Sequence, residues 1–160
     1  MGKAGVGLIK GLDVEEIVAT LDSYYCYNLV VMHFSHALHN RKEGQAAFLL
    51  GDEFEEIAVQ SLEAARKLAD RIGDLGGEVT ADPTQFVERS PLGEFSLPAS
   101  NSEVGIILSF VLGRIRMIVR EYEAFLERIR GRDEISHLLL LDLLKEQVAR
   151  EAEIEAALMT

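Results

Sequence analysis

Three histidines in one helical segment have the residue type and spacing of a metal site. His33, His36 and His39 follow one another at intervals of three residues in YYCYNLVVMHFSHALHN, residues 24–40. Imidazole is a common ligand of transition metals. A step of three residues falls about 60° short of a helical turn, so two adjacent histidines share one metal ion more easily than all three do. The series therefore indicates either a two-histidine metal site or a hydrated rim at the end of a helix.

A metal site on this face requires further ligands from a second element. Glu53 and Glu56 lie near the start of the next helical segment, and a short hairpin would bring them toward His33 and His36. Histidine together with carboxylate suits zinc or iron. We therefore expect iron or another transition metal if these four residues form a site, and no cofactor if the histidines form a rim.

The residues before the histidines also have two interpretations. Tyr24, Tyr25 and Tyr27 are either redox relays beside a metal or core residues whose hydroxyl groups find hydrogen-bond partners. Cys26 has no histidine or acid in a recognisable catalytic pattern, and we expect it to be a small buried residue. A single cysteine forms no intramolecular disulfide, which favours a reducing, cytoplasmic location.

Composition restricts the partners of the chain. A net charge of −11 argues against non-specific binding to nucleic acid or to an anionic membrane surface. The longest apolar run, residues 104–113, spans about 15 Å as a helix, which is half of a bilayer core. At 160 residues the chain is most simply one domain, residues 1–160.

Hydrophobic periodicity predicts four long helices, at about residues 13–40, 46–75, 102–130 and 133–158. The outer connections are short, so each outer pair of helices forms an antiparallel hairpin. Residues 76–101 hold all three prolines and no sustained helical period. An extended segment of that length can cross the ~40 Å length of one helix. The sequence therefore predicts an all-α, up-down-down-up four-helix bundle with a long crossover loop between the second and third helices.

Five segments add a family resemblance to this topology. They are GLDVEEIVATL, SYYCYNLVVMH, ARKLADRIGDLGG, SLP near residue 98 and RDEISHLLLLDLLKEQVAREA. In this order they resemble the Dps-like branch of the archaeal mini-ferritins, over residues 12–158. The resemblance implies a ferritin-like bundle from a family whose members form hollow cages. It also implies Fe(II) oxidation, with peroxide or oxygen, at a di-iron centre inside each bundle.

The residues that would ligate iron in that family are replaced in this chain. The resemblance implies one glutamate on each of two helices and a Glu-x-x-His pair on each of the other two. The corresponding positions are Thr20 in the first helix, Ser61 and Ala64 in the second, and Gln147 and Arg150 in the fourth. The carboxylate of the third helix falls within residues 113–116, GRIR, where there is no acid. These positions predict a vacated di-metal pocket and no catalytic residue within it.

The arginines of the last two helices have two interpretations. They form either a solvated or intersubunit ion-pair surface, or some of them project into the vacated pocket. Arg150, with Arg114 or Arg116, is the candidate for the pocket. A buried guanidinium requires a carboxylate, and Glu121 or Glu146 would supply it.

The apolar surface of the helices exceeds what one bundle interior needs. The residues that indicate this excess are Ile106, Ile107 and Leu138, Leu139, Leu140 and Leu141. We therefore expect a homo-oligomer, at least a dimer, and by resemblance a cage.

Two functions are compatible with these features. The first is a non-catalytic ferritin-like protein with a structural or interaction role, co-assembling in one version with an active mini-ferritin. The alternative is a mini-ferritin that stores or oxidises iron at a relocated site near His33, His36 and the acids of the second helix. Loss of the mapped ligands favours the first, and leaves enzymatic activity as the less favoured outcome.

Overall fold

Four long helices dominate the described part of the chain. The computed structural model describes residues 7–41, 45–93, 96–99 and 102–159, with the backbone alone at 45–48. The long helices are α1 (Val14–His39), α2 (Gln45–Asp74), α4 (Val104–Ile129) and α5 (Glu134–Leu158), and a short helix α3 (Phe86–Arg89) lies between α2 and α4. None of the helices in these ranges is long and apolar enough to cross a membrane.

Caps and glycines set the helix ends close to where the sequence predicts them. The Asp13 carboxylate accepts a hydrogen bond from the Glu15 backbone N–H at 3.0 Å and so begins α1. Gly76 has φ of 80°, the left-handed conformation that follows the end of α2. Gly77 packs so closely on α1 that an added Cβ would lie 2.6 Å from Cγ1 of Val18. Gly76 therefore ends the helix, and Gly77 allows α1 to pack closely against this turn.

Core contacts establish the direction of each helix. Leu38, at the end of α1, shares one apolar cluster with Phe54 near the start of α2 and Ile107 at the start of α4. Tyr24, in the first half of α1, instead packs edge-to-face on Phe125 near the end of α4, with ring centroids 5.8 Å apart. Thus α1 runs antiparallel to α2 and α4, and α2 and α4 run parallel. The up-down-down-up order is confirmed.

The fourth helix completes the bundle as the hairpin partner of α4. Ile154 near the end of α5 packs in one cluster with Leu108 and Leu112 near the start of α4. Gly131, with φ of 72°, makes the turn between the two helices. This short connection matches the predicted hairpin.

The crossover is more ordered than the absence of a helical period suggested. Within residues 76–101, of which 94, 95, 100 and 101 lie outside the described residues, a 3₁₀ turn (Pro83–Gln85) leads into α3. Pro83 and the Asp82 cap start the turn, and the ring of Phe86 then packs on Tyr25 of α1 at 6.2 Å. A helix of four residues shows no hydrophobic period in the sequence. Because so short a helix is not stable alone, its formation depends on this contact with the bundle.

We expect Asp22→Ala to lower the free energy of unfolding by about 1–3 kcal/mol. The half-buried Asp22 carboxylate accepts hydrogen bonds from the Thr80 backbone N–H at 2.8 Å and the Thr80 hydroxyl at 2.6 Å. Loss of the carboxylate leaves the buried Thr80 amide without this acceptor. Urea unfolding followed by circular dichroism measures the change.

A matched control lies a few residues further along the crossover. Asp82 makes the same pair of bonds to Thr84, but both residues are exposed. Asp82→Ala should therefore change stability less than Asp22→Ala. Equal effects would contradict the view that Asp22 fastens the crossover to α1.

Candidate functional site

A cavity of about 60 Å³ lies between the four long helices. Its polar lining residues are Tyr27 and Asn28 from α1, Gln60 and Ser61 from α2, Arg114 and Tyr122 from α4, and Glu146, Gln147 and Arg150 from α5. Apolar residues from all four helices, with Leu97 from the crossover, complete the wall. Every long helix therefore contributes to one central space, where a bundle of this kind places its functional residues.

Four of the five predicted pocket positions meet at this cavity. Ser61, Ala64, Gln147 and Arg150 all line it. Thr20 does not belong to its described lining, and its hydroxyl donates instead to the Glu16 carbonyl at 3.0 Å. The lining of α1 extends from residue 27 to residue 38, so Thr20 lies about 10 Å along the helix from its nearer end.

Arg150 is buried in the cavity wall, with a side chain that is 6% exposed. Its Nη2 donates to the amide oxygen of Gln60. Its Nη1 lies 3.8 Å from the Glu53 carboxylate and makes no hydrogen bond to the described residues. The carboxylate beside Arg150 is therefore Glu53 of α2. The prediction of Glu121 or Glu146 in this role is wrong, because the α2 face turns toward Arg150.

The other predicted arginines separate into a cavity group and a surface group. Arg114 lines the cavity beside the ring of Phe110, with its guanidinium carbon 6.0 Å from the ring centroid. Burial lowers the pKa of Arg114 from its ordinary value, and neighbouring Tyr27 opposes this shift. Arg116 points away and pairs with Glu151 at 2.8 Å and Glu155 at 3.1 Å. Both interpretations of the arginines thus hold, for different residues.

A tyrosine cluster packs beside the cavity, and Tyr122 within it belongs to the cavity lining. Tyr24 and Tyr122 pack edge-to-face with centroids 4.9 Å apart. The Asn28 amide donates to the Tyr122 hydroxyl at 3.2 Å, and the Tyr24 hydroxyl donates to the Glu121 backbone carbonyl at 3.1 Å. Desolvation by burial raises the pKa of Tyr24 and of Tyr122 well above the ordinary value. The hydroxyl groups of this cluster are therefore neutral donors and acceptors.

The predicted core roles of the neighbouring residues agree with their burial. Tyr27 and Cys26 are buried, whereas Tyr25 is half-buried against α3. Desolvation raises the pKa of the Cys26 thiol, and a hydrogen bond with Thr80 opposes this rise. A thiol in this environment is inert relative to a free cysteine.

The histidine series lies in the C-terminal part of α1. His33 and His36 are exposed, and His39 Nδ1 is hydrogen-bonded to the Gly51 carbonyl at 2.7 Å. Glu56 is exposed and accepts from Gln60, and Glu53 lies beside Arg150. Within the described ranges, no three His, Cys, Asp or Glu residues are grouped closely enough to hold a metal ion.

One Glu-x-x-His sequence does occur in the chain, outside the mapped positions. It comprises Glu134 and His137 in the first turn of α5. The Glu134 carboxylate is exposed and accepts from the Gly131 backbone N–H at 2.7 Å, so it serves the turn between α4 and α5. Neither residue belongs to the described lining of the cavity.

The side chains around the cavity do not fit a di-iron centre. Among its described lining residues, Glu146 is the one carboxylate, and none is a histidine. A di-iron site of this class requires four carboxylates and two imidazoles to neutralise and bind the metals. Two guanidinium groups and several neutral amide and hydroxyl groups are suited instead to hydrogen bonding and to negative charge.

Comparisons with known proteins agree with this architecture. A family model described as Ferritin-like domain matches residues 18–160. The chain is similar to the DNA protection during starvation protein of Pyrococcus furiosus, with 24% identity over 148 residues, 92% of this chain and 80% of that protein.

Solved structures share the fold at low sequence identity. A dodecameric thioferritin, the bacterioferritin-related protein from Bacteroides fragilis, superposes with a TM-score of 0.87 at 22% identity, over 99% of this chain and 94% of that one. Dps from Staphylococcus aureus superposes with a TM-score of 0.80 at 19% identity, over 90% and 95%. These matches confirm the predicted ferritin-like bundle and the Dps-like resemblance.

Proposed function

Because the chain belongs to the ferritin-like domain family, we propose that it is a member without a di-iron ferroxidase centre, acting as an oligomeric structural or interaction protein. The observation that carries this proposal is Arg150. Its guanidinium group is buried at the centre of the bundle, at a position that the family resemblance assigns to an iron-binding histidine. A permanent cation there repels Fe(II) and supplies no lone pair to it.

The other mapped positions support the same conclusion. Ser61 and Gln147 offer neutral oxygens, and Ala64 offers no ligand at all. Hydroxyl and amide oxygens are weak substitutes for the bridging carboxylates that hold two ferrous ions together. A bundle of this composition keeps the fold of a ferroxidase without the side chains that bind its two iron ions.

Exposed apolar residues support the oligomeric part of the proposal. Val59 and Leu62 on α2 and Leu138 on α5 are each more than half exposed. Ile107 and Leu140 are buried inside the bundle, whereas Ile106 and Leu141 from the same predicted set are exposed. Such surfaces are typical of faces that subunits cover. The similar thioferritin is dodecameric, and we propose a homo-oligomer for this chain, with a dimer as the minimum and co-assembly with an active mini-ferritin as one role.

Fe(II) oxidation by oxygen or peroxide should be no faster with the purified protein than in buffer without protein. The test measures the rate of Fe(III) formation by absorbance, together with the metal content of the protein by elemental analysis. Rapid oxidation with a stoichiometric bound metal would contradict the proposal. If His33→Ala then removed that metal, the alternative function, with a relocated iron site near His36 and Glu53, would replace the proposed one.

A designed variant tests whether metal ligands at the mapped positions restore metal binding at the cavity. Ser61→Glu, Ala64→His, Gln147→Glu and Arg150→His together place two Glu-x-x-His pairs around the cavity, because all four positions line it. We expect this variant to bind Co(II) with a visible absorption spectrum that the wild type lacks. The variant with the α2 pair alone has half of these ligands and should bind Co(II) more weakly.

A further inference from the structure

The central cavity holds a cation whose hydrogen-bonding capacity is incompletely used. Arg150 carries five N–H donors in a planar fork. Its Nη2 bonds to Gln60, whereas Nη1 has no hydrogen bond to the described residues and Glu53 is 3.8 Å away. The Glu53 side chain is 41% exposed, so water competes for its carboxylate. A buried donor of this kind normally has a partner, which is a protein group, an ordered water or a bound ion.

The wall of the cavity is divided into an apolar part and a polar part. Its apolar part comprises Leu38, Phe54, Ile57 and the adjoining Val31, Leu97 and Val111, which pack in one cluster. The polar part contains Asn28, Ser61, Tyr122 and Gln147. Gln60, which accepts from Arg150, lies one helical turn from Ile57 on α2, and both residues line the cavity. A ligand on Arg150 is therefore in reach of an apolar surface.

We propose that this cavity binds a short-chain aliphatic monocarboxylate, with its carboxylate on Arg150 and its alkyl chain against the apolar cluster around Phe54. A guanidinium fork matches a carboxylate with two parallel hydrogen bonds. The described lining carries two guanidinium groups, Arg114 and Arg150, and one carboxylate, Glu146, and Glu53 lies 3.8 Å from Arg150 outside that lining. Recognition of the ligand therefore depends on the unused Nη1 donor of Arg150, not on an excess of positive charge.

The size of the cavity limits the ligand. A volume of about 60 Å³ corresponds to about four to six water molecules. Butyrate, with four carbons and two oxygens, is at the upper limit of this space, whereas a long fatty acid requires more room. The inference rests on the proposed absence of a di-iron centre, because two iron ions would occupy the same space.

The test uses butyrate and the full-length, metal-free protein. Isothermal titration calorimetry should show saturable binding of butyrate, and differential scanning fluorimetry should show a higher Tm in its presence. Butyramide, a neutral molecule of the same shape, should bind at least tenfold more weakly. Absence of butyrate binding, equal binding of butyramide, or tighter binding of inorganic phosphate would each overturn the proposal.

Variants of Arg150 locate the bound carboxylate. Arg150→Gln should weaken butyrate binding by about 10- to 100-fold, because a hydrogen-bonded charge is lost. Arg150→Lys keeps the charge and removes the fork, so an intermediate loss is expected even if the glutamine variant fails to fold. Arg66→Gln, at an exposed ion pair on α2, is the matched control and should bind as the wild type does. Wild-type affinity in the lysine variant and in every folded variant at 150 would overturn the assignment to Arg150.

The two proposals fail separately. Fe(II) oxidation by the wild-type protein would contradict the proposed function. Lack of butyrate binding to protein that neither holds nor oxidises iron would contradict this inference alone.

Discussion

Asp133→Asn should lower the free energy of unfolding by about 3–5 kcal/mol. Asp133 is 1% exposed, and its Oδ1 lies 3.0 Å from Nη2 of Arg71, whose side chain is 6% exposed. Arg71 also donates from Nε to the Ser136 hydroxyl at 3.0 Å. Asparagine retains an Oδ1 that can accept from the Ser136 backbone N–H, as Asp133 does at 3.1 Å. The change therefore spares the cap and leaves a buried guanidinium without its counter-charge.

Thermal and urea unfolding measure this effect. For a chain of this length the expected loss corresponds to a fall in Tm of about 10 °C or more. The double variant Arg71→Met with Asp133→Asn should recover part of the loss, because no uncompensated charge then remains buried. Glu63→Gln, which breaks the exposed pair with Arg66, should change Tm little. Wild-type stability in Asp133→Asn would show that this ion pair does not stabilise the packing of α2 against the start of α5.

The bundle was predictable because its signals are local and periodic. The caps at Asp13 and Gly76 and the turn at Gly131 lie next to the helices that they end, so the sequence alone indicates them. The lengths of the connections then determine which helices run parallel. By contrast, α3 is too short to show a period, and the contact of Phe86 with Tyr25 that orders it joins residues far apart in the chain.

The site was only partly predictable because it depends on how the helices rotate and slide against one another. Ser61, Ala64, Gln147 and Arg150 line the cavity at the positions that the family resemblance implied, since residues three apart share a helix face. The family resemblance implied Thr20 as a pocket position, but Thr20 lies about two turns before the described cavity lining, and no feature of a single helix sequence shows such a shift. The proximity of Glu53 to Arg150 likewise depends on which face α2 turns inward.

Stability should fall steeply above about pH 10, because three buried tyrosines resist ionisation. Desolvation raises the pKa of Tyr24, Tyr27 and Tyr122 in the folded protein well above the ordinary value near 10. Below that pH all three are protonated in both the folded and unfolded states, and stability is fully retained. As pH rises toward the folded-state pKa values, the unfolded chain loses these protons first. Each tyrosine then removes about 1.4 kcal/mol of stability per pH unit, or about 4 kcal/mol for the three together.

Tyr27→Phe separates this cause from general alkaline denaturation. Tyr27 is 3% exposed, and its removal leaves two of the three tyrosines, so the slope of stability against pH should fall by about a third. Urea unfolding at several pH values between about 9 and 11 gives the slope, and tyrosinate absorbance reports ionisation directly. Tyr25, which is half-buried at the edge of the bundle, is the control: Tyr25→Phe should change the slope less. If tyrosinate formed well before the helices unfolded, the inference that burial keeps these three hydroxyl groups neutral would be wrong.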